Sequence, residues 1–100
     1  MASVEWSPTA RRDLREIVTY ISRFGHGSQI ADKLAAAIDE KAWSYGRQPE
    51  MGSLHEELPD GFRSFMHTRY VGVYEVIEDG VTVHRVIDSA RDFIRVFRQT

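Results

Sequence analysis

Two hydrophobic periods divide the chain. Ala2, Val4 and Trp6 alternate with Ser3 and Glu5, a period of two that predicts a short strand. Ser7-Pro8 then stops it and starts a helix, with Ser7 as N-cap and Pro8 at the first helical position, where its missing N–H would be unpaired anyway. From Pro8 to Phe24 the period becomes helical. Ala10, Leu14, Ile17, Val18, Ile21 and Phe24 form one stripe, and Arg11, Arg12, Arg15, Glu16 and Arg23 face away. Asp13 and Glu16 lie toward the positive end of the helix dipole and Arg23 toward the negative end. Gly25 and Gly27 end this helix.

Ser28 reads as the next N-cap. Ala31, Leu34, Ala35, Ile38, Ala42 and Tyr45 carry a second helical stripe, with Gly46 as its cap and Trp43 off the stripe's centre. The short connection makes the two helices an antiparallel hairpin, and the alanines predict close helix approach. Residues 47–61 lose all periodicity. Pro49, Gly52, Pro59 and Asp60-Gly61 punctuate them, so they read as a loop long enough to imply function or mobility.

Three strands follow, over Phe62 to His67, Tyr70 to Ile77 and Val81 to Asp88. Asp79-Gly80 is a strong hairpin signal. Two registers stay open: one pairs Tyr74 with Arg85 and Glu75 with His84, the other pairs Val73 with Arg85 and Tyr74 with His84. A slip of one residue exchanges the faces, so the side taken by Arg85 is undecided. Both faces of this hairpin carry apolar residues. One packs on the helices; the other needs a cover or a partner. Ser89 to Thr100 reads as a tail with one short helix through Phe93, Ile94 and Phe97. The order β-α-α-β-β-β predicts an α+β domain, with a helical hairpin on one face of a mostly antiparallel sheet, over residues 1–100 as a single unit.

Composition narrows the classes. A chain of 100 residues buries about 60–65 % of its unfolded surface, so its margin of stability is thin and a partner helps. It has no cysteine, which excludes a disulfide scaffold, a thiolate zinc site and a cysteine nucleophile, and fits a reducing cytoplasm. No apolar run is long enough to span a membrane, and the start has no secretory signal. The net charge of −2 argues against a bulk electrostatic DNA binder. Within that balance, arginine outnumbers lysine eleven to two. Arg63, Arg69, Arg85, Arg91, Arg95 and Arg98 stand against Glu75, Asp88 and Asp92 in segments 61–77 and 81–100, an excess of three positive charges on the predicted sheet and tail.

The histidines add little chemistry. His26 and His55 fall in loops and read as solvated, while His84 in a strand reads as a hydrogen-bonded structural residue. His55-Glu56-Glu57 lacks the second histidine and the helix of a zinc motif, so no metal or cofactor is expected.

Several strings in this order resemble the ParE/RelE superfamily of type II toxins. Ser7-Pro8-Thr9-Ala10 through Asp13-Leu14-Arg15-Glu16-Ile17 is similar to the family's first helix, and Pro49-Glu50-Met51-Gly52 to its loop before the sheet. Gly61-Phe62-Arg63-Ser64-Phe65 and Arg69-Tyr70-Val71-Gly72-Val73-Tyr74 look like its central strands. Val83-His84-Arg85-Val86-Ile87 with Ser89-Ala90-Arg91-Asp92 resembles its last strand and ending.

The resemblance, closer to ParE than to RelE, implies a cytoplasmic plasmid-stabilisation toxin. It would be held in a hetero-oligomer by a ParD-like antitoxin that reaches the helical hairpin and the sheet. ParE-like members are associated with DNA gyrase inhibition and have no established catalytic residues. RelE-like members cleave mRNA on the ribosome. On that alternative Arg63, Arg69 and Arg85 would supply cations, and His84 or His67 the acid or base. On the gyrase reading the contact residues would be Arg91, Phe93, Arg95 and Phe97, since arginine and aromatic side chains anchor protein interfaces. A member that only binds its antitoxin is the third possibility.

Overall fold

A computed structural model describes residues 2–25 and 27–99. Strand β1 (Ser3–Trp6) leads into α1 (Pro8–Phe24) and α2 (Ser28–Arg47), followed by a 3-10 turn at Pro49–Met51. Strands β2 (Phe62–His67), β3 (Tyr70–Ile77) and β4 (Gly80–Asp88) and a short helix α3 (Phe93–Arg98) complete the order. The sheet runs β1-β4-β3-β2, with β1 parallel to β4 and the other neighbours antiparallel. The helical hairpin supplies the crossover that a parallel pair requires.

The predicted α+β layering is therefore present, with three differences at the joints. Gly27, not Ser28, is the N-cap of α2, at φ 92°, a left-handed conformation suited to glycine. Gly46 does not end α2. The helix passes through it to Arg47, and a side chain there would strike Val4 and the Ser3 carbonyl, so glycine admits β1. The β3–β4 turn is Glu78-Asp79, closed by Ile77 opposite Gly80. Gly80 belongs to β4, where a Cβ would collide with the Ser3 backbone. The close approach of β1, not a turn conformation, demands this glycine.

The hairpin follows the second expected register, Val73 with Arg85, only at its open end; near the turn it follows neither. It begins with Val76 opposite Val81 and Tyr74 opposite Val83, then shifts so that Val73 faces Arg85. His84 is the extra residue of a bulge. The Ser7 hydroxyl donates to the His84 carbonyl at 3.0 Å while accepting from the Ala10 amide at 3.0 Å, so the cap of α1 also satisfies the bulge.

Two apolar clusters lie on opposite faces of the sheet. Toward the helices, Ala10, Ile38, Ala42, Phe65, Tyr74, Val81, Val83 and Val86 are buried together. Tyr45 stacks on Phe65 and tilts against Tyr74 within this layer. On the far face, Val71 and Val73 lie under Leu58, Phe62, Phe93, Ile94 and Phe97. The far face, expected to need a cover or a partner, is thus covered by the chain's own 53–61 segment and by α3. Phe24, placed on the core stripe by its spacing, is instead 74 % exposed, with its ring 5.3 Å from that of Tyr20.

Residues 47–61 are held at several points. The fully buried Tyr74 hydroxyl donates to the Pro49 carbonyl at 2.6 Å and accepts from the Gly52 amide at 3.0 Å. Ser53 forms an isolated antiparallel bridge with Ser64. His55, read as solvated, bonds through Nε2 to the Ser64 hydroxyl at 2.7 Å and sets its ring edge-on to Phe93. His26 lies outside the described residues.

Tyr74 provides the test of this arrangement. Its replacement by Phe leaves the buried Gly52 amide and the part-buried Pro49 carbonyl without this partner, at an expected cost of about 1–3 kcal/mol, read as a lower urea midpoint at unchanged slope. Burial also raises the Tyr74 pKa, partly opposed by the Gly52 amide. The fold favours the neutral hydroxyl, so that contribution is complete below the ordinary tyrosine value. It is lost as pH rises through the folded value. Stability is expected to fall above about pH 10, less steeply in Tyr74→Phe; parallel alkaline limbs would exclude this role.

Candidate functional site

Asp13 sits one turn into α1 on the side facing the sheet, and Arg85 follows the bulge of β4. The pair meets in a forked contact: Arg85 Nε donates to Asp13 Oδ2 at 2.7 Å and Nη2 to Oδ1 at 3.2 Å. Oδ2 also accepts the Val86 amide at 3.0 Å. The side chains are 12 % and 8 % exposed, so the bond is shielded from solvent and fixes α1 to β4. Asp13 is therefore more than a charge near the helix dipole. The side taken by Arg85, left open by the sequence, is that of α1.

The other basic residues of the nuclease alternative are each held locally. Arg63 donates to the carbonyls of Glu50 at 3.0 Å and Gly52 at 2.9 Å. Arg69, in the β2–β3 turn, pairs with Asp88 at 2.6 Å. His84 bonds Glu75 at 3.0 Å through Nε2 and lies against Phe62. His67 ends β2 half-buried. Arg63, Arg69, His84 and Arg85 do not line one cavity together: Arg69 and Arg85 share a cleft beside α1, His84 and Arg85 border a second, and Arg63 lines neither.

The four tail residues divide. Phe93 and Phe97 are half-buried on the far-face cluster, while Arg91 and Arg95 are exposed. Asp92 caps α3, accepting the Arg95 amide at 3.2 Å. The tail is tied to the sheet by the backbone, through the Arg91 amide and the Asp88 carbonyl at 3.0 Å.

Around Asp13 and Arg85 opens a cleft of about 330 Å³ between α1 and the open end of the β3–β4 hairpin. Tyr20, Tyr70, Arg69 and Arg91 line it above Ile17. Burial raises the Tyr70 pKa, partly opposed by Arg69, so its hydroxyl stays neutral and able to donate. The Ala90 amide and then Arg69 hold the Asp88 carboxyl below the usual range, and the bond to Asp88 raises Arg69 in turn. A second groove, about 540 Å³ and mostly apolar, lies between the helices, lined by Trp6, Leu14, Val18 and Ala35 and rimmed by Arg11 and Arg15. Among the described residues, no three acidic or histidine side chains gather as a metal site, and no helix is long and apolar enough to cross a membrane.

Spacing alone missed Asp13, Tyr20 and Tyr70 as parts of a site. A signal for Asp13 was present: it falls between Ala10 and Leu14 on a stripe that faces the core, where an acid needs a partner.

Comparison with known proteins bears on this geometry. A family model described as the ParE toxin of type II toxin-antitoxin system, parDE, matches residues 4–93. A solved structure described as "Chromosomal ParDE TA system from P. aeruginosa" superposes with a TM-score of 0.69 at 20 % identity, covering 88 % of this chain and 96 % of that one. At that identity the likeness speaks for the fold. No curated protein matches the sequence.

The Asp13–Arg85 pair generates two expectations. Asp13→Ala takes the forked carboxylate away from a shielded guanidinium, at an expected cost of about 3–5 kcal/mol, whereas Asp13→Leu with Arg85→Met removes both charges and recovers much of it. The Val86 amide remains unbonded in both, so recovery is incomplete. Urea midpoints of the three proteins decide this; equal losses in the single and double variants would remove the pair as the cause. Asp88 sets the acid side. Its folded pKa lies below its unfolded one, so its contribution is present above about pH 4 and lost as pH falls through the folded value. Asp88→Asn is expected to flatten the acid limb of a pH–stability curve, by little because Arg69 is 62 % exposed.

Proposed function

Since the chain belongs to the ParE toxin family of type II toxin–antitoxin systems, we propose that it arrests growth by binding DNA gyrase and is neutralised by a cognate ParD-like antitoxin. It acts as one domain in the cytoplasm, as a binding protein and not a nuclease. The observation that carries this reading is the commitment of the would-be catalytic cations. Arg63, Arg69, His84 and Arg85 are each bonded within the chain, and Arg85 is shielded by α1. A metal-free ribonuclease needs such groups to converge on one phosphate. Exposed Arg91 and Arg95 on the tail are the side chains left to contact a target, with Phe93 and Phe97 seating that tail on the sheet.

The antitoxin reading is supported by the apolar groove between α1 and α2. Its Leu14, Val18 and Ala35 lining suits an amphipathic segment, and Arg11 and Arg15 suit acids beside it. The far sheet face, already covered by α3, is not the free apolar surface expected from the sequence.

One expression experiment separates the readings. Induction without the antitoxin should arrest growth, inhibit supercoiling by purified gyrase and leave ribosome-bound mRNA intact. Cleaved mRNA with normal supercoiling would overturn the gyrase reading in favour of the RelE-like one, and continued growth would leave a non-toxic antitoxin binder. Arg91→Ala, exposed and so expected to fold, should need about tenfold more protein for the same gyrase inhibition. Val18→Asp should instead weaken antitoxin binding, and the melting temperature of the native protein should rise with antitoxin concentration.

A further inference from the structure

We propose that the cleft between α1 and the open end of the β3–β4 hairpin is a docking pocket for an acidic protein segment. One carboxylate would lie between Arg69 and Arg91, with a neighbouring apolar side chain over Ile17 and Tyr70. The inference names the chemistry recognised at Arg91 and so rests on the reading of that residue as a target contact.

The charges around the cleft support an isolated carboxylate. Arg85 is neutralised by Asp13, and Arg69 by Asp88. Glu16, at the rim of the cleft, lies 3.7 Å from Arg12. That leaves the Arg91 guanidinium, which acts on Asp88 through space but makes no hydrogen bond or ion pair of its own among the described residues. Arg69 is 62 % exposed, so its remaining donors are open to a second acceptor.

Two hydroxyls add to these cations. Tyr20 and Tyr70 line the same cleft and both act electrostatically on Arg69. Neither hydroxyl makes a hydrogen bond among the described residues, and Tyr70 stays protonated. Two guanidinium groups and two phenol hydroxyls over an apolar floor form a donor-rich pocket with one wall suited to a hydrocarbon side chain.

The same wall disfavours nucleic acid. Glu16 and Asp88 face the cleft beside the arginines. A polyphosphate chain would lay several charges along these acids, whereas one carboxylate meets the arginines alone. At about 330 Å³ the cavity is at the small end for a ligand pocket and fits one or two side chains.

The test is a titration of the ¹⁵N-labelled full-length protein with three probes. These are the capped peptide acetyl-Ala-Leu-Asp-Phe-Ala-amide, its Asn counterpart and pentathymidylate. The aspartyl peptide is expected to shift the amides of Tyr20, Arg69, Tyr70 and Arg91 saturably. The Asn peptide should bind about tenfold more weakly, as should the aspartyl peptide to Arg91→Ala, whose spectrum otherwise stays native. Three results would overturn the proposal: no saturable shift at the cleft, binding indifferent to Asn or to Arg91→Ala, or pentathymidylate bound there as tightly as the peptide. Absent peptide binding with gyrase inhibition intact removes this pocket and leaves the gyrase reading standing. Peptide binding with normal supercoiling does the reverse.

Discussion

The bond between Asp13 and Arg85 organises this small protein. It is a forked ion pair, largely out of water, between the first helix and the strand at the middle of the sheet. A charge in that position is tolerated only if its partner arrives with the right geometry. The bulge at His84 provides it. The extra residue shifts the register, so that Arg85 meets Asp13 while Val83 and Val86 both stay in the core. Ser7 completes the joint by capping α1 and bonding the His84 carbonyl. One cluster of polar bonds thereby sets the helix on the sheet and leaves the cleft open beside it.

The second constraint is that the sheet is apolar on both faces. The helical hairpin covers one. A domain of this size has little chain to spare for the other, yet the 53–61 segment and α3 supply Leu58, Phe93, Ile94 and Phe97 to it. The anchor for that cover lies on the opposite side. Tyr74, in the helix-side core, reaches past the β2 edge to bond Pro49 and Gly52. Arg63 holds carbonyls of the same stretch. The segment without periodicity is therefore ordered by backbone-directed bonds rather than by burial of a stripe.

This explains what the sequence could convey. The strands Phe62–His67 and Tyr70–Ile77 follow from short runs of β-branched and aromatic residues, and the helix Pro8–Phe24 from a stripe that repeats along one face. The glycines were harder to read. Gly46 and Gly80 look like a cap and a turn residue, but each is required by the approach of β1, a contact between residues far apart in the chain. The hairpin register failed for a related reason. No local rule places a bulge whose stabilising partners, Asp13 and Ser7, lie in the first helix and its cap. Phe24 failed in the other direction: its spacing is right, but at the last residue of α1 its ring is exposed. The candidate arginines were identifiable by type and strand. What separates them, the partner each one takes, is tertiary.

The positive excess of the second half now has a structural meaning. Arg63, Arg69 and Arg85 hold the fold together through carbonyls and carboxylates. Arg91, Arg95 and Arg98 are exposed on the last twelve residues, which carry the unspent charge. They do not form a continuous basic surface, since Asp88 and Asp92 stand among them and Glu57 shares a pocket with Arg95 and Arg98. Long polyanions gain affinity by neutralising many phosphates at once, and interspersed carboxylates oppose that gain. Discrete arginines beside aromatic rings act differently. Each can take one carboxylate in a forked bond while the ring beneath takes an apolar neighbour. On the proposed reading, an acidic chain with an arginine-bearing tail would discriminate by partner geometry rather than by total charge, using at its surface the arginine chemistry that joins α1 to β4.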